Sequence, residues 1–117
     1  MALHHELPIY KVAYDLLSLA TDITRNIPRD LKAGLGAKMR DECIELLVLI
    51  ARANAARDKA PHLVEIVERV QVVDFLLRIF KDKQFIGVKQ HAAAIQLTGS
   101  VGKQANGWKK SATAPAA

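Results

Sequence analysis

The chain has 117 residues, half of them hydrophobic, which is the length and composition of one folded domain with its own core. Its 17 lysines and arginines exceed its 12 aspartates and glutamates, and the resulting net charge of +5 modestly favours a polyanionic partner. A single cysteine excludes an intrachain disulfide, a cysteine zinc cluster and a dithiol pair, and no apolar run reaches the roughly 18 residues of a membrane span. We therefore expect a soluble cytoplasmic protein without a membrane partner.

Four amphipathic helical patterns follow one another along the chain, and no segment has the pattern of a strand. The first begins at Pro8 and repeats apolar residues every three or four positions as far as Ile27, where Pro28 ends it. The others extend from about Leu35 to Asp58, from about Pro61 to Lys83 and from about Ile86 to Lys110. Short connections between long helices predict an all-α, up-down-up-down four-helix bundle over residues 1–111, followed by a disordered Ala-rich tail over residues 112–117.

The second and third helices carry more apolar surface than one small bundle covers. Besides its core side, the second helix has an apolar stripe on the far side, and the third helix has two apolar sides. The core side of the second helix consists of Leu35, Met39, Leu46, Ile50 and Ala53. The far stripe consists of Ile44, Val48, Ala51 and Ala55; the two sides of the third helix consist of Val70, Val73, Leu77 and Phe80, and of Val72, Phe75, Leu76 and Ile79. A helix that is apolar all round is buried all round, so these patterns predict a homo-oligomer in which the far stripe of the second helix makes subunit contacts. The alternative is a wide, loosely amphipathic core.

No pattern in the chain indicates a catalytic residue, a metal site or a cofactor. The Glu-x-x-His pairs typical of carboxylate-metal bundles are absent, and Glu65, three residues after His62, more simply complements the positive end of a helix. Cys43 has no histidine near it in sequence, so we expect a buried structural thiol. The glycines form no phosphate-binding motif. The sequence therefore predicts a protein that is not an enzyme.

Several charged residues of the third helix have the spacing of local ion pairs. Asp74, Arg78 and Lys81 follow one another at intervals of four and three, which predicts an ion-pair ladder. Arg69 stands close to Glu65 and Glu68, which predicts ordinary surface pairing. These residues are interpreted as structural.

The C-terminal third of the chain is basic and contains no acid. Asp82 is the last carboxylate, and five lysines follow it. Three of them, Lys89, Lys103 and Lys110, share with Gln96 a spacing of seven, which keeps them on one side of the fourth helix with only about 20° of drift per step. We call these three residues the lysine line and predict that they contact nucleic acid; the alternative is a solvated face.

A second group of cations extends from the connection after the first helical pattern into the start of the second. It consists of Arg29, Lys32, Lys38 and Arg40, here called the 29–40 cations. Pro28 and Gly36 are expected to shape this stretch as a turn, and its cations are expected to join the lysine line in one elongated contact surface. Lysines without a base-reading array bind phosphates, so the predicted partners are RNA and DNA with little sequence preference.

Three segments resemble the accessory variability determinant (Avd) proteins of diversity-generating retroelements, relatives of the proteins encoded by intervening sequences of bacterial 23S ribosomal RNA. These segments are IPRDLKAGLG at 27–36, FLLRIFKDKQFIGVKQH at 75–91 and VGKQANGWKKS at 101–111. They carry Ile27-Pro28-Arg29 at the end of the first helix, Leu35-Gly36 at the start of the second, Phe75 to Arg78 in the third and Gly107-Trp108-Lys109 in the fourth. The chain departs from the family in lacking an aromatic residue before Pro28 and in its Ala-rich fourth helix.

The resemblance implies a fold and a function together. The implied assembly is a barrel-like homopentamer of basic four-helix bundles, encoded by a bacterium, phage or prophage. The implied function is non-enzymatic: the protein binds nucleic acid and a reverse transcriptase while a template RNA is copied. Two alternatives stay open, an rRNA-associated protein of the intervening-sequence type and a purely structural or protein-binding bundle.

Overall fold

The computed structural model describes residues 3–113, and within them it contains helices and no strand. The four long helices are α1 (Pro8–Thr24), α2 (Ala37–Ala55), α3 (Ala60–Asp82) and α4 (Val88–Thr113). A short 3-10 turn at His4–Glu6 precedes α1. The fourth helix extends past its predicted end and includes residues 112 and 113, whereas the rest of the predicted tail, 114–117, lies outside the described residues.

The first two helices are joined by a turn that is shorter than the sequence predicted. The chain leaves α1 at Arg25 and becomes helical again directly after Pro28, through a single α-turn at Arg29–Leu31 and a π-helical segment at Lys32–Gly36 that continues into α2. Gly36 has helical torsion angles, φ −63° and ψ −46°. The expectation that Gly36 helps to shape the turn was therefore wrong, because the chain reverses between Arg25 and Pro28 and is already helical at Gly36.

The helices pack side by side in an elongated bundle of 53 × 22 × 21 Å. Helix α1 packs against α2 and α4, and α3 packs against the same two helices, so α2 and α4 lie diagonally opposite each other. The core runs along the axis. Four of the five residues on the predicted core side of the second helix, Met39, Leu46, Ile50 and Ala53, are fully buried, and the fifth, Leu35, lies just before α2 and is half-buried against the core. The core side predicted for α2 and the four-helix architecture are thus confirmed.

A Schellman motif ends α3 and directs the chain into α4. Gln84 has a left-handed φ of 62°, which allows its N–H to donate to the carbonyl of Lys81 at 2.9 Å and the N–H of Phe85 to donate to the carbonyl of Phe80 at 2.8 Å. The rings of Phe80 and Phe85 meet edge to face with centroids 6.2 Å apart, the apolar contact that accompanies this motif. The motif places Lys89 on the first turn of α4.

At the opposite end of the bundle, Lys59 closes α2. Its Nζ donates to the carbonyl oxygens of Ala53, Asn54 and Ala56 at 2.9, 3.1 and 2.9 Å, which satisfies groups that have no partner within the helix. The same ammonium lies 6.0 Å from the ring centroid of Trp108 on α4. Lys59 therefore has a structural role, as does the partly buried Trp108, which packs against the core.

Candidate nucleic-acid interface

The lysine line lies on the outward side of α4. The buried residues of this helix are Ala94, Thr98, Val101 and Ala105, and Lys89, Lys103 and Lys110 are exposed on the other side. Within residues 3–113 these three ammonium groups make no ion pair and no side-chain hydrogen bond, and α4 itself contains no acid. The three charges are therefore free to meet an anion.

The spacing of these lysines suits an extended polyanion. A helix rises 1.5 Å per residue, so Lys89 and Lys110 are separated by about 31 Å along the axis, and seven residues correspond to about 10 Å. One strand of a nucleic-acid duplex rises about 3.4 Å per nucleotide, so seven residues match roughly three nucleotides. Such an arrangement can hold phosphates, but it has no means of reading bases.

The 29–40 cations are exposed, but they belong to the other side of the molecule. Arg29 and Lys32 lie in the helical segment before α2, and Lys38 and Arg40 lie on α2 itself, diagonally across the bundle from α4. The two groups of cations approach only at the end of the bundle where the α1–α2 and α3–α4 turns lie. The structure does not bring the two groups together into the single elongated surface that the sequence predicted. The 29–40 cations lie on α2 and the segment before it, the lysine line lies on α4, and these two helices are diagonally opposite in the bundle.

Lys38 differs from its neighbours because it is already paired. Its Nζ donates to Glu42 Oε1 at 2.7 Å, and Arg69 on α3 donates to the same carboxylate through Nη1 at 3.0 and 3.2 Å. Glu42 is only 3% exposed. Burial is the largest influence on the pKa of Glu42 and raises it, but the hydrogen bonds and charges of Lys38 and Arg69 outweigh burial and lower the pKa below 4.5.

This cluster corrects the predicted pairing on α3. Arg69 does contact Glu65, at 3.5 Å, but its shorter contact is with Glu42 across the α2–α3 interface. The predicted ladder of Asp74, Arg78 and Lys81 is not formed within the described residues, since Arg78 turns to Asp82 at 3.4 Å. The sequence pattern did not reveal the role of Glu42, because a partner distant in sequence leaves no periodic signal. The position of this acid beside core residues of α2 was the one feature that could have indicated a buried carboxylate.

The predicted subunit surface lies outside the core of the bundle. Ile44 is 47% exposed, Ala55 is exposed, and Val48 and Ala51 are half-buried. The second apolar side of α3 is outward too, and Phe75 on it is 71% exposed; Leu76 is an exception, since it is buried in the core. Both helices therefore present apolar side chains that the described residues of one copy leave uncovered.

The described residues contain little that resembles another kind of site. No group of three or more histidine, cysteine, aspartate or glutamate side chains among residues 3–113 could hold a metal ion. Cys43 is fully buried, and burial raises the pKa of its thiol to about 12, which makes it inert. No helix of the described part of the chain is long and apolar enough to cross a membrane.

Comparison with known protein families gives a match over nearly the whole bundle. The family model described as bAvd-like matches residues 7–112, nearly the whole chain. No curated protein matches the chain, and no solved structure does. The matched range begins just before α1 and ends within the last turn of α4, so it covers nearly all of the four-helix bundle.

Proposed function

Since the chain belongs to the bAvd-like family, we propose that it is a non-enzymatic accessory protein of a diversity-generating retroelement. In this proposal it binds RNA and DNA with little sequence preference, associates with a reverse transcriptase and assembles with copies of itself. The family match supports the accessory role, and the charge distribution supports nucleic acid as a partner.

The observation that carries nucleic-acid binding is the lysine line on α4. Three exposed ammonium groups, which have no ion-pair partner among residues 3–113, lie on one side of a 26-residue helix that contains no acid. Neutralising phosphates with such groups releases counterions, which makes binding strong at low salt and weak at high salt. Arg29, Lys32 and Arg40 form a second candidate surface, whereas Lys38 is engaged by Glu42.

The test is a triple substitution of Lys89, Lys103 and Lys110 by Glu. Binding of an RNA and a DNA oligonucleotide is measured by fluorescence anisotropy between about 50 and 200 mM salt. We expect the triple variant to lose at least about tenfold in affinity at low salt and to lower the slope of log affinity against log salt by about 2–3, since up to three phosphate contacts are lost.

The matched control replaces Lys11, Arg52 and Arg57 by Glu. These three side chains are exposed, and the change in net charge is the same as in the triple variant. Lys59 is unsuitable as a control because it closes the end of α2. If both triple variants bind alike, binding depends on net charge and the lysine line is only a solvated face; if the wild-type protein binds neither oligonucleotide at 50 mM salt, nucleic-acid binding is refuted.

Association with a reverse transcriptase is tested separately. The protein is co-expressed with the reverse transcriptase encoded beside its gene and purified through a tag on the polymerase. Co-purification that resists nuclease treatment supports the accessory role. A gene that lies in an rRNA operon, together with binding to ribosomal RNA and no polymerase partner, would instead favour the intervening-sequence type of protein.

Self-association is the third part of the proposal. The exposed apolar stripe of α2 supports it, and the pentamer is the number of subunits that the resemblance implies. Light scattering at micromolar concentration measures the mass directly. A mass of 12.9 kDa, that of one chain, would refute assembly.

A further inference from the structure

The outward side of α3 carries an apolar stripe that the described chain does not cover. Phe75 is 71% exposed, Val64 and Ile79 are each 39% exposed, and Val72 is half-buried. Their spacing places all four on one side of the helix. We call them the α3 stripe. Contiguous exposed apolar side chains of this kind mark an interaction surface.

An unsatisfied carboxylate lies beside this stripe. Asp74 lines a depression of about 510 Å³ together with Gln71, Phe75 and Arg78. Its Oδ1 is buried, and within the described residues it has no hydrogen-bond partner, since Arg78 is directed to Asp82. A buried acceptor without a donor destabilises the fold. Asp74 as a whole residue is only half-buried and lines the depression, so a cationic donor that lies against the ring of Phe75 can meet its carboxylate there.

A cation of the required kind stands on the outward side of α2. Arg40 is exposed, makes no ion pair within residues 3–113 and precedes Ile44 by one helical turn. It thus continues the apolar stripe formed by Ile44, Val48, Ala51 and Ala55, here called the α2 stripe. The α2 stripe together with Arg40 extends from Arg40 to Ala55, and the α3 stripe extends from Val64 to Ile79. Both therefore have the same length, about 22 Å of helix.

We propose that the α3 stripe packs against the α2 stripe of a second copy of this chain, with Arg40 of the second copy against Asp74 and Phe75. The contact rests on the proposed self-association, and it names the two surfaces that meet. In this arrangement Arg40 serves the subunit contact, and the second candidate surface for nucleic acid keeps only Arg29 and Lys32.

The register of the two stripes supports this pairing. Helices α2 and α3 are antiparallel and are joined at Ala55 and Ala60, so distance from that end measures height along the bundle. Arg40 lies 15 residues above Ala55, and Phe75 lies 15 residues above Ala60. Ala51 and Val64 are likewise level, four residues above the same two ends. Two copies that point in the same direction therefore align Arg40 with Phe75 and Ala51 with Val64.

The contact joins two different surfaces, so it is heterologous. Each copy offers one α2 stripe and one α3 stripe, and the contact can repeat from copy to copy. A two-fold dimer would instead pair one surface with itself. The distinction gives the proposal a direct test.

The test uses cysteine cross-linking between level positions. Ala51→Cys and Val64→Cys variants are expressed separately and also together, oxidised mildly and separated on a non-reducing gel. Cys43 is buried and does not compete. We expect a disulfide-linked dimer of about twice 12.9 kDa only when the two variants are co-expressed.

Charge substitutions test the role of Arg40 independently. Arg40→Asp and Asp74→Arg are each expected to reduce the mass measured by light scattering, and the double variant is expected to restore it. Arg52→Asp, at another exposed position of α2, is the matched control and should keep the wild-type mass. Circular dichroism checks that the helix content is unchanged.

The outcomes separate this contact from self-association itself. A wild-type mass of 12.9 kDa overturns both. A larger wild-type mass overturns the contact alone if Ala51→Cys cross-links without Val64→Cys, if co-expression gives no cross-link, or if the two charge variants keep the wild-type mass.

Discussion

At the scale of single residues, Glu42 shows how an acid can be held in a protein core. Among residues 3–113 it is the only charged residue that is buried, and Lys38 and Arg69 neutralise it from two helices. A buried carboxylate is tolerated only when it is paired and hydrogen-bonded. Glu42 therefore links α2 to α3 through Arg69, and it pairs within the molecule with Lys38, one of the cations that the sequence pattern assigns to a nucleic-acid partner.

The same residue gives a pH-dependent prediction. The pKa of Glu42 is lower in the folded chain than its ordinary value of 4.5, so its ionised form stabilises the fold above that pH. This contribution is lost as the pH falls below 4.5 and through the lowered pKa. We expect Glu42→Gln to reduce the free energy of unfolding by about 1–3 kcal/mol at pH 7 and by much less at low pH.

Urea unfolding at neutral and acid pH measures this difference. Glu68→Gln is the matched control, because Glu68 is an exposed carboxylate of α3 and makes no ion pair within residues 3–113. Equal effects of the two substitutions at pH 7 would show that Glu42 contributes no more than a surface acid.

At the scale of an element, the α3–α4 turn contains a residue in a costly conformation. Gln84 holds the left-handed position of a Schellman motif, where glycine is the usual residue. Left-handed backbone costs a residue with a β-carbon about 1–2 kcal/mol, and part of that is offset because glycine is more flexible when unfolded. We expect Gln84→Gly to stabilise the protein by about 0.5–1 kcal/mol in urea unfolding. A loss of stability would mean that the Gln84 side chain makes a compensating contact.

At the scale of the whole molecule, the uncovered stripe of α2 predicts the effect of a buried charge. Val48 lies in the middle of this stripe, and if copies assemble through it, Val48→Asp places a carboxylate in an apolar contact. We expect the variant to stay helical and to fall to a smaller mass in light scattering. Ser18→Asp, at an exposed position of α1, adds the same charge and should leave the mass unchanged. An assembly that survives Val48→Asp would place the subunit contact elsewhere.

The sequence alone determined the features that depend on periodicity and composition. Apolar spacing of three and four gives the four helices and the inner side of α2, and the absence of acids after Asp82 gives α4 its uncompensated charge. The outward stripe of α2 was visible in the same way. These properties are local, because each follows from residues within a few helical turns.

The tertiary structure decided what depends on neighbours distant in sequence. It placed α2 and α4 on opposite diagonals and so divided the predicted cationic surface in two. It joined Glu42 to Arg69, left Asp74 without a donor within the described residues, and assigned Lys59 to a helix end. None of these features could be read from the spacing of residues in the sequence. The partner of a charged side chain depends on the distances between charged groups and on their burial, and both are set only when the helices pack.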